Sequence, residues 1–158
     1  MPDNEQLIIN FYTAFQKLDY RSMINNYAED IIFSDPVFGL LHVEEVRAMW
    51  EMLCKNAKDF SLAYSNITHL DEEYSTCDWV ATYTFSKTGK KVINNGKAYM
   101  KFYNGKIIEH SDGFSIYQWS KQALGIPGLL FGWHSFFQNR IRKQAQNNLR
   151  KFILDNNK

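Results

Sequence analysis

Hydrophobic positions near the start of the chain recur at helical spacing. One apolar stripe is formed by Leu7, Ile8, Phe11, Ala14, Phe15 and Leu18. The stripe predicts a first helix, which Asp3 and Gln6 can cap. Asp19 is typical of the residue that begins a short second helix. Apolar residues return to helical spacing over residues 43–57, which predicts a third helix.

A short apolar run at residues 31–33 separates the second helix from the third. The run predicts a strand that ends at Asp35, because Pro36 has no backbone donor to continue the pairing. The strand and the third helix are both expected to face a core, so Asp35 is expected at the rim of that core. From spacing alone, Asp35 is also typical of a simple turn residue before Pro36.

The hydrophobic period changes from helical to alternating after residue 60. Alternation predicts four long strands in an antiparallel meander, the last running from Ile107 to about Trp119. A change of phase near Asn66 indicates a bulge, which curves a sheet. Asn104 followed by Gly105 is typical of a tight hairpin turn. The predicted fold is therefore α+β, with three helices on one side of a curved antiparallel sheet.

The last predicted strand carries ionisable residues on an otherwise apolar face. Because side chains alternate along a strand, His110 and Asp112 share a face with Ile108, Phe114 and Ile116. Burying a carboxylate on an inner face costs free energy unless the group has a partner. An inward-facing Asp112 is therefore expected to have either a structural partner or a function. A structural His110–Asp112 pair is one alternative to a functional role, and a register that turns this face outward is another.

Length, charge and cysteine content exclude several classes of function. The 158 residues form, most simply, one domain over 1–158, and a net charge of +1 gives no drive toward nucleic acid. Cys54 and Cys77 make no disulfide framework or metal motif, and the histidines have no ligand spacing, so we expect no metal. With an acidic N-terminus and no long apolar run, the chain is expected to be cytoplasmic.

The segment YAEDIIFSDPVFG at residues 27–39 resembles the NTF2-like superfamily, in particular ketosteroid isomerases and SnoaL-like polyketide cyclases. Two predicted helices before it and one after it extend the resemblance over residues 4–118. The resemblance implies a cone-shaped, strongly curved sheet around an apolar pocket. It also implies that Asp35 is the catalytic base, and that the segment of Glu109, His110, Ser111 and Asp112 carries acid/base groups.

The same resemblance, with the predicted strand facing, supplies candidates for the pocket wall. The substrate-binding candidates are Tyr12, Phe15, Trp50, Tyr83, Asn94 and Phe114. One departure concerns the oxyanion donors of ketosteroid isomerases, whose positions fall on Phe11 and Ala98. Steroid isomerisation in that form is therefore not expected.

Two functions fit these residues. The first is cofactor-free acid/base catalysis, of isomerase or cyclase type, on a small apolar carbonyl compound, with Asp35, Asp112 and His110 as the reactive groups. The alternative is a non-catalytic module that binds a small apolar ligand or a protein partner. Because relatives usually pair through the convex face of the sheet, the resemblance also implies a homodimer.

A C-terminal extension, residues 119–158, follows the resembling core. A glycine-broken apolar segment leads into a helix with an apolar stripe and a basic opposite face. The stripe consists of Trp133, Phe137, Ile141, Ala145, Leu149 and Phe152. This helix is expected to dock by its apolar stripe on the protein or a second subunit, with its basic side in solvent. A lid over the pocket and contact with an anionic membrane surface are the alternatives.

Overall fold

The computed structural model describes residues 3–157, which fold as helices packed on a six-stranded sheet. The helices are α1 (Asn4–Gln16), α2 (Tyr20–Asn25), α3 (Val43–Asn56), α4 (Ile116–Leu124), α5 (Ile126–Phe131) and α6 (Ser135–Asn156). The strands are β1 (Tyr27–Asp35), β2 (Gly39–Leu41), β3 (Ser61–His69), β4 (Tyr74–Phe85), β5 (Lys90–Tyr103) and β6 (Lys106–Phe114). The predicted α+β class is confirmed, as are the three N-terminal helices.

Side-chain caps begin the first two helices where the sequence predicted them. Asp3 Oδ1 accepts a hydrogen bond from Gln6 N at 2.7 Å, and Asp19 Oδ1 accepts one from Ser22 N at 3.1 Å. Each carboxylate satisfies a backbone donor that has no partner within its helix. These caps fix where α1 and α2 begin, and so direct their apolar stripes onto the sheet.

The sheet has the strand order β2-β1-β6-β5-β4-β3. Strands β3 to β6 form the predicted antiparallel meander. The predicted bulge is present, since the β3–β4 register shifts between Ser65 and Thr68 and Asn66 has φ of 54°. Asn104 and Gly105, with φ of 50° and 71°, make the predicted hairpin turn.

One strand pairing differs from the prediction of a wholly antiparallel sheet. β1 and β6 run parallel, with Phe33 opposite His110 and Ser34 opposite Ser111. The turn after Asp35 folds β2 against one edge of β1, which leaves the other edge open. The meander returns to that open edge with β6 pointing in the same direction. The closing pairing of the sheet is therefore long-range and parallel.

The prediction for the last strand is wrong at its C-terminal end. β6 ends at Phe114, and Ser115 caps α4 by accepting a hydrogen bond from Gln118 N at 3.1 Å. Ile116 is consequently on a helix and not on the strand face assigned to it. The N-terminal end of β6 also differs from the prediction. A register shift between β5 and β6 leaves Ile108 as a bulged residue without a partner on β5, so that Ile107 is buried in place of Ile108.

The C-terminal helix α6 packs back onto the turn that follows β1. Leu149 on its apolar side is 3% exposed. Arg142 Nε donates to the carbonyl oxygen of Pro36 at 2.8 Å, and Gln146 Nε2 donates to that of Phe38 at 3.3 Å. Trp133, expected in the docking stripe, is instead 64% exposed, because α6 begins only at Ser135. Within residues 3–157, none of the helices combines the length and apolarity needed to cross a bilayer.

Candidate active site

A cavity of about 900 Å³ lies between the inner face of the sheet and helices α1, α3 and α6. Every site residue proposed from the sequence lines it. These are Asp35, His110, Asp112, Tyr12, Phe15, Trp50, Tyr83, Asn94 and Phe114. Most of the other lining side chains are apolar or aromatic. The volume is in the range of sites that enclose a drug-sized molecule.

The parallel pairing of β1 and β6 brings the two carboxylates together. The register places Ser34 opposite Ser111, so Asp35 and Asp112 each follow by one residue on neighbouring strands. Successive side chains alternate between faces, and Asp35 and Asp112 both point to the cavity side. The two acidic groups are thus neighbours on one wall rather than facing each other across the cavity.

The environment of Asp35 disfavours its charged form. Burial raises the pKa of this carboxyl from its ordinary 3.8 to about 6, and the nearby negative charge of Asp112 adds to the increase. Two backbone donors oppose it, because the N–H groups of Phe38 and Val37 donate to Oδ1 at 2.6 and 2.9 Å. A carboxyl with a pKa near 6 can both accept and return a proton near neutral pH.

Asp112 is held by two side-chain donors. Nε1 of Trp79 lies 3.1 Å from Oδ1 of Asp112, and Nε2 of His110 lies 2.9 Å from the same oxygen. On the other side of the imidazole ring, Nδ1 of His110 lies 2.7 Å from the hydroxyl of Tyr27. That hydroxyl accepts a hydrogen bond from Trp50 Nε1 at 3.1 Å. His110 is therefore a buried link in a continuous chain of hydrogen bonds.

The chemistry of the donors fixes the direction of this chain. An indole N–H can only donate, so the Tyr27 oxygen accepts from Trp50 and its own proton must go elsewhere. The Tyr27 proton is satisfied by donation to Nδ1 of His110, which leaves the ring proton on Nε2 to be donated to Asp112. A ring proton on Nε2 thus satisfies every member, and both ring nitrogens of His110 are occupied.

Tyr12 presents an unpartnered hydroxyl in the cavity wall. Within residues 3–157, its oxygen is the buried side-chain polar atom that has no hydrogen-bond partner. The ring is fixed by stacking on Tyr64, with 5.4 Å between centroids. Burial raises the pKa of this phenol well above its usual value, and the charge of Asp112 raises it further, so the group is a hydrogen-bond donor. A buried donor without a partner is typical of a group that meets a ligand.

The two positions of the isomerase oxyanion donors lie close to this site but carry no polar side chain. Phe11 is fully buried behind the wall, where its ring contacts His110 edge-on at 5.3 Å between centroids. Ala98 is paired with Asp112 across β5 and β6. Tyr12, one residue after Phe11, provides a hydroxyl in the cavity.

Three residues of the site were not predicted from the sequence. They are Tyr27, Trp79 and Trp119. Trp79 had a signal, since it alternates with Tyr83 along β4. Trp119 was expected at the end of the last strand, whereas it lies on α4 and donates to the Tyr83 hydroxyl at 2.7 Å. Tyr27 gave no signal of its own, because its role depends on the pairing of β1 with β6.

A glycine beside Trp79 makes the orientation of that indole possible. A methyl group at Gly96 would lie 2.1 Å from the Trp79 ring, well inside van der Waals contact. The indole therefore packs against the β5 backbone at the point where a side chain is missing. This packing directs Trp79 Nε1 toward Asp112.

Within residues 3–157, histidine, cysteine and carboxylate side chains form no group of three or more that could hold a metal ion. The polar groups of the cavity are instead arranged as the donors and acceptors described above.

Comparison with known structures identifies the fold. An NTF2-like protein of unknown function from Burkholderia pseudomallei is 20% identical, with a TM-score of 0.63, 72% of this chain and 92% of that chain covered. A protein from Pseudomonas putida, provisionally described as a polyketide cyclase, is 15% identical, with a TM-score of 0.66 and coverage of 78% and 99%. A Catenulispora acidiphila protein with a ketosteroid isomerase-like fold, in complex with trimethylamine, is 12% identical, with a TM-score of 0.68 and coverage of 80% and 97%.

Sequence comparison identifies the family. No curated protein matches the chain significantly. The family model described as the SnoaL-like domain matches residues 8–110, which reach from α1 to the His110 link of the site. The chain therefore belongs to the SnoaL-like domain family and has the NTF2-like fold.

Proposed function

We propose that this protein is an acid/base catalyst, of isomerase or cyclase type, that needs no cofactor and acts on a small, largely apolar carbonyl compound. The observation that carries the proposal is the combination of Asp35, with its pKa raised to about 6, and the unpartnered Tyr12 hydroxyl in one apolar cavity. One group is poised to move a proton near neutral pH, and the other to stabilise developing negative charge.

In the proposed reaction, the Asp35 carboxylate removes a proton from the carbon next to a substrate carbonyl. The electrons of the broken C–H bond form a C=C bond, the π electrons of the carbonyl group move to its oxygen, and the resulting enolate oxygen accepts a hydrogen bond from Tyr12. In an isomerisation of a β,γ-unsaturated carbonyl compound, protonated Asp35 returns the proton to the γ carbon, the carbonyl group re-forms, and the C=C bond moves next to it. In a cyclisation, the enolate carbon attacks a second carbonyl of the same molecule, and Asp35 protonates the new alkoxide.

Asp112 and His110, which the sequence offered as further acid/base groups, receive a different role. Both ring nitrogens of His110 are engaged, and one oxygen of Asp112 accepts two hydrogen bonds. We assign to Asp112 the task of raising the pKa of Asp35 through its charge, and to His110 the task of holding Asp112 in place. His110 is thus a positioning residue.

Of the non-catalytic alternatives, a module that only binds a protein partner has less support. A cavity filled by Phe11, Phe15 and Trp50 would favour that alternative. Phe11 does not line the cavity, and a volume of about 900 Å³ remains beside the other two residues. The open volume favours a function in which a small molecule reaches Asp35.

Proton exchange in D2O tests the proposal without knowledge of the natural substrate. We expect the native protein to accelerate deuterium incorporation into β-tetralone, a small apolar ketone with an acidic C–H group, measured by NMR. The rate should rise with pH through about 6 and then level off, because the base must be ionised. Asp35→Asn should abolish the acceleration, and Tyr12→Phe should reduce it about 100- to 1000-fold.

Asp30→Asn provides the matched control, since this exposed carboxylate lies on the same strand. It should leave the exchange rate unchanged. Full exchange activity in Asp35→Asn would refute the proposed base. Binding of apolar ketones by the native protein without any exchange would establish the non-catalytic alternative.

A homodimer and a cytoplasmic location are further inferences that we attach to this function. The outer face of β5 supports the dimer, because Ile93, Tyr99 and Tyr103 are 44%, 48% and 65% exposed there. Cys54 and Cys77 are free thiols, which is usual for a protein of a reducing compartment. Sedimentation at micromolar concentration checks the dimer.

A further inference from the structure

The cavity changes in character from its buried end to its open end. Asp35, His110 and Asp112 lie at the buried end, where the side chains of the latter two are 0% and 10% exposed. Aromatic and aliphatic side chains form the middle, among them Phe15 and Phe60. Exposed cations border the open end. They are Lys58, Lys87, Arg140 and Lys151.

The ion pairs among the described residues do not include these cations. Asp155 also borders the open end, so among the described residues four cations and one carboxylate leave an excess of three positive charges there. An excess of one sign of charge beside a low-dielectric cavity favours a ligand group of the opposite sign.

The position of the cations on α6 argues against an accidental surface distribution. Arg140 and Lys151 are eleven residues apart, which is close to three helical turns, so they lie on the same side of the helix about 16 Å apart. That side carries Ile141 and Phe152, which also line the cavity. The sequence placed the basic residues of this helix away from its apolar stripe, whereas these two border the cavity that the stripe covers.

Lys58 and Lys87 approach the opening from the other elements. Lys58 follows α3, and Lys87 lies in the turn between β4 and β5. The cations therefore come from three separate segments of the chain and line one cavity. A neutral apolar ligand would use the middle of the cavity and leave this cationic rim without a function.

We infer that the ligand of this cavity is an anionic amphiphile. Its apolar body occupies the middle of the cavity, and its carboxylate, sulfate or phosphate group meets the cationic rim. The inference rests on the proposed function, in which the same molecule presents a carbonyl group to Asp35. It adds the substrate class, namely an apolar keto compound with an anionic group at the end remote from the reacting carbon.

Binding of simple amphiphiles tests the charge preference separately from catalysis. The probes are monomeric laurate and 1-dodecanol, which share an apolar chain and differ in charge. Trp50, Trp79 and Trp119 line the cavity and report binding by fluorescence. We expect the native protein to bind laurate more tightly than dodecanol. The double variant K87Q/K151Q should weaken laurate binding about tenfold and leave dodecanol binding unchanged.

K91Q/K143Q is the matched control, because Lys91 and Lys143 are exposed on the same hairpin and the same helix but do not line the cavity. It should bind laurate as the native protein does. Equal binding of laurate and dodecanol by the native protein, or an equal loss in both double variants, would overturn the inference. Exchange of β-tetralone would be unaffected by that failure, so the proposed function would stand.

The source of the anionic group is resolved by a second arm. Sedimentation with vesicles of phosphatidylcholine, with and without phosphatidylglycerol, tests whether the rim also meets a lipid headgroup in a membrane. Vesicle binding that needs phosphatidylglycerol and is lost in K87Q/K151Q assigns the ligand to a membrane. Laurate binding without vesicle binding assigns it to a dissolved amphiphile. Either result supports an anionic amphiphile.

Discussion

Replacing Asp35 by asparagine should stabilise the protein, and the gain should depend on pH. The folded state raises the pKa of Asp35 from 3.8 to about 6, so the folded protein holds this proton more tightly than the unfolded chain does. Stability from this group is therefore fully present below about pH 4 and is lost as the pH rises through about 6. A difference of about two in pKa between the folded and unfolded states corresponds to a free energy of about 3 kcal/mol.

Asparagine carries no charge to desolvate but keeps an oxygen that can accept from Val37 N and Phe38 N. We therefore expect the free energy of unfolding of Asp35→Asn to exceed that of the native protein by up to about 3 kcal/mol at pH 8. At about pH 4 the difference should vanish, because Asp35 is then largely neutral in the folded protein and partly protonated in the unfolded chain.

Urea denaturation followed by tryptophan fluorescence at about pH 4, 6 and 8 measures this difference. Asp30→Asn, with its exposed carboxylate on the same strand, controls for the loss of a negative charge at the surface. A variant that is no more stable at pH 8, or whose gain is the same at every pH, would show that Asp35 is not held in a desolvated site.

Two further predictions concern the groups around Asp112. Tyr27→Phe should lower the free energy of unfolding by about 2–3 kcal/mol, since both hydrogen-bond partners of the hydroxyl are buried, whereas Tyr12→Phe should cost nothing. Equal losses in these two variants, measured by urea denaturation, would contradict the hydrogen-bond assignment. Gly96→Ala should displace the Trp79 ring, change its fluorescence and cost about 1–3 kcal/mol. Gly113→Ala, whose added methyl would lie 3.9 Å from its nearest neighbour, should be nearly neutral; similar losses in both glycine variants would refute the packing explanation.

Local signals predicted most of the secondary structure. The caps at Asp3 and Asp19 begin their helices, and the turn at Asn104 joins two strands, because each depends on a few neighbouring residues. The alternation that was extended to Trp119 failed for a similar local reason. Ser115 can cap a helix, and four residues of alternation beyond it are too few to separate a strand from a helix.

The candidate site was less predictable because it depends on register. Asp35 and Asp112 were recognised through family resemblance, and the sequence placed both at one cavity. Their position as neighbours on parallel strands could not be derived, since nothing in either strand specifies the direction of its partner. The link from Tyr27 to His110 depends on the same pairing, which joins residues 83 positions apart.

The parallel pairing of β1 with β6 also has a consequence for how the protein folds. The hairpins from β3 to β6 join segments that are close in sequence, whereas Ser34 and Ser111 are 77 positions apart. Contacts between residues so far apart in sequence have the largest entropic cost of loop closure. They are therefore expected to form after the local contacts. The like-charged pair is then desolvated only when the first strand docks on a meander that is already assembled. The folding chain is therefore expected to assemble the β3–β6 meander before Asp35 and Asp112 come together.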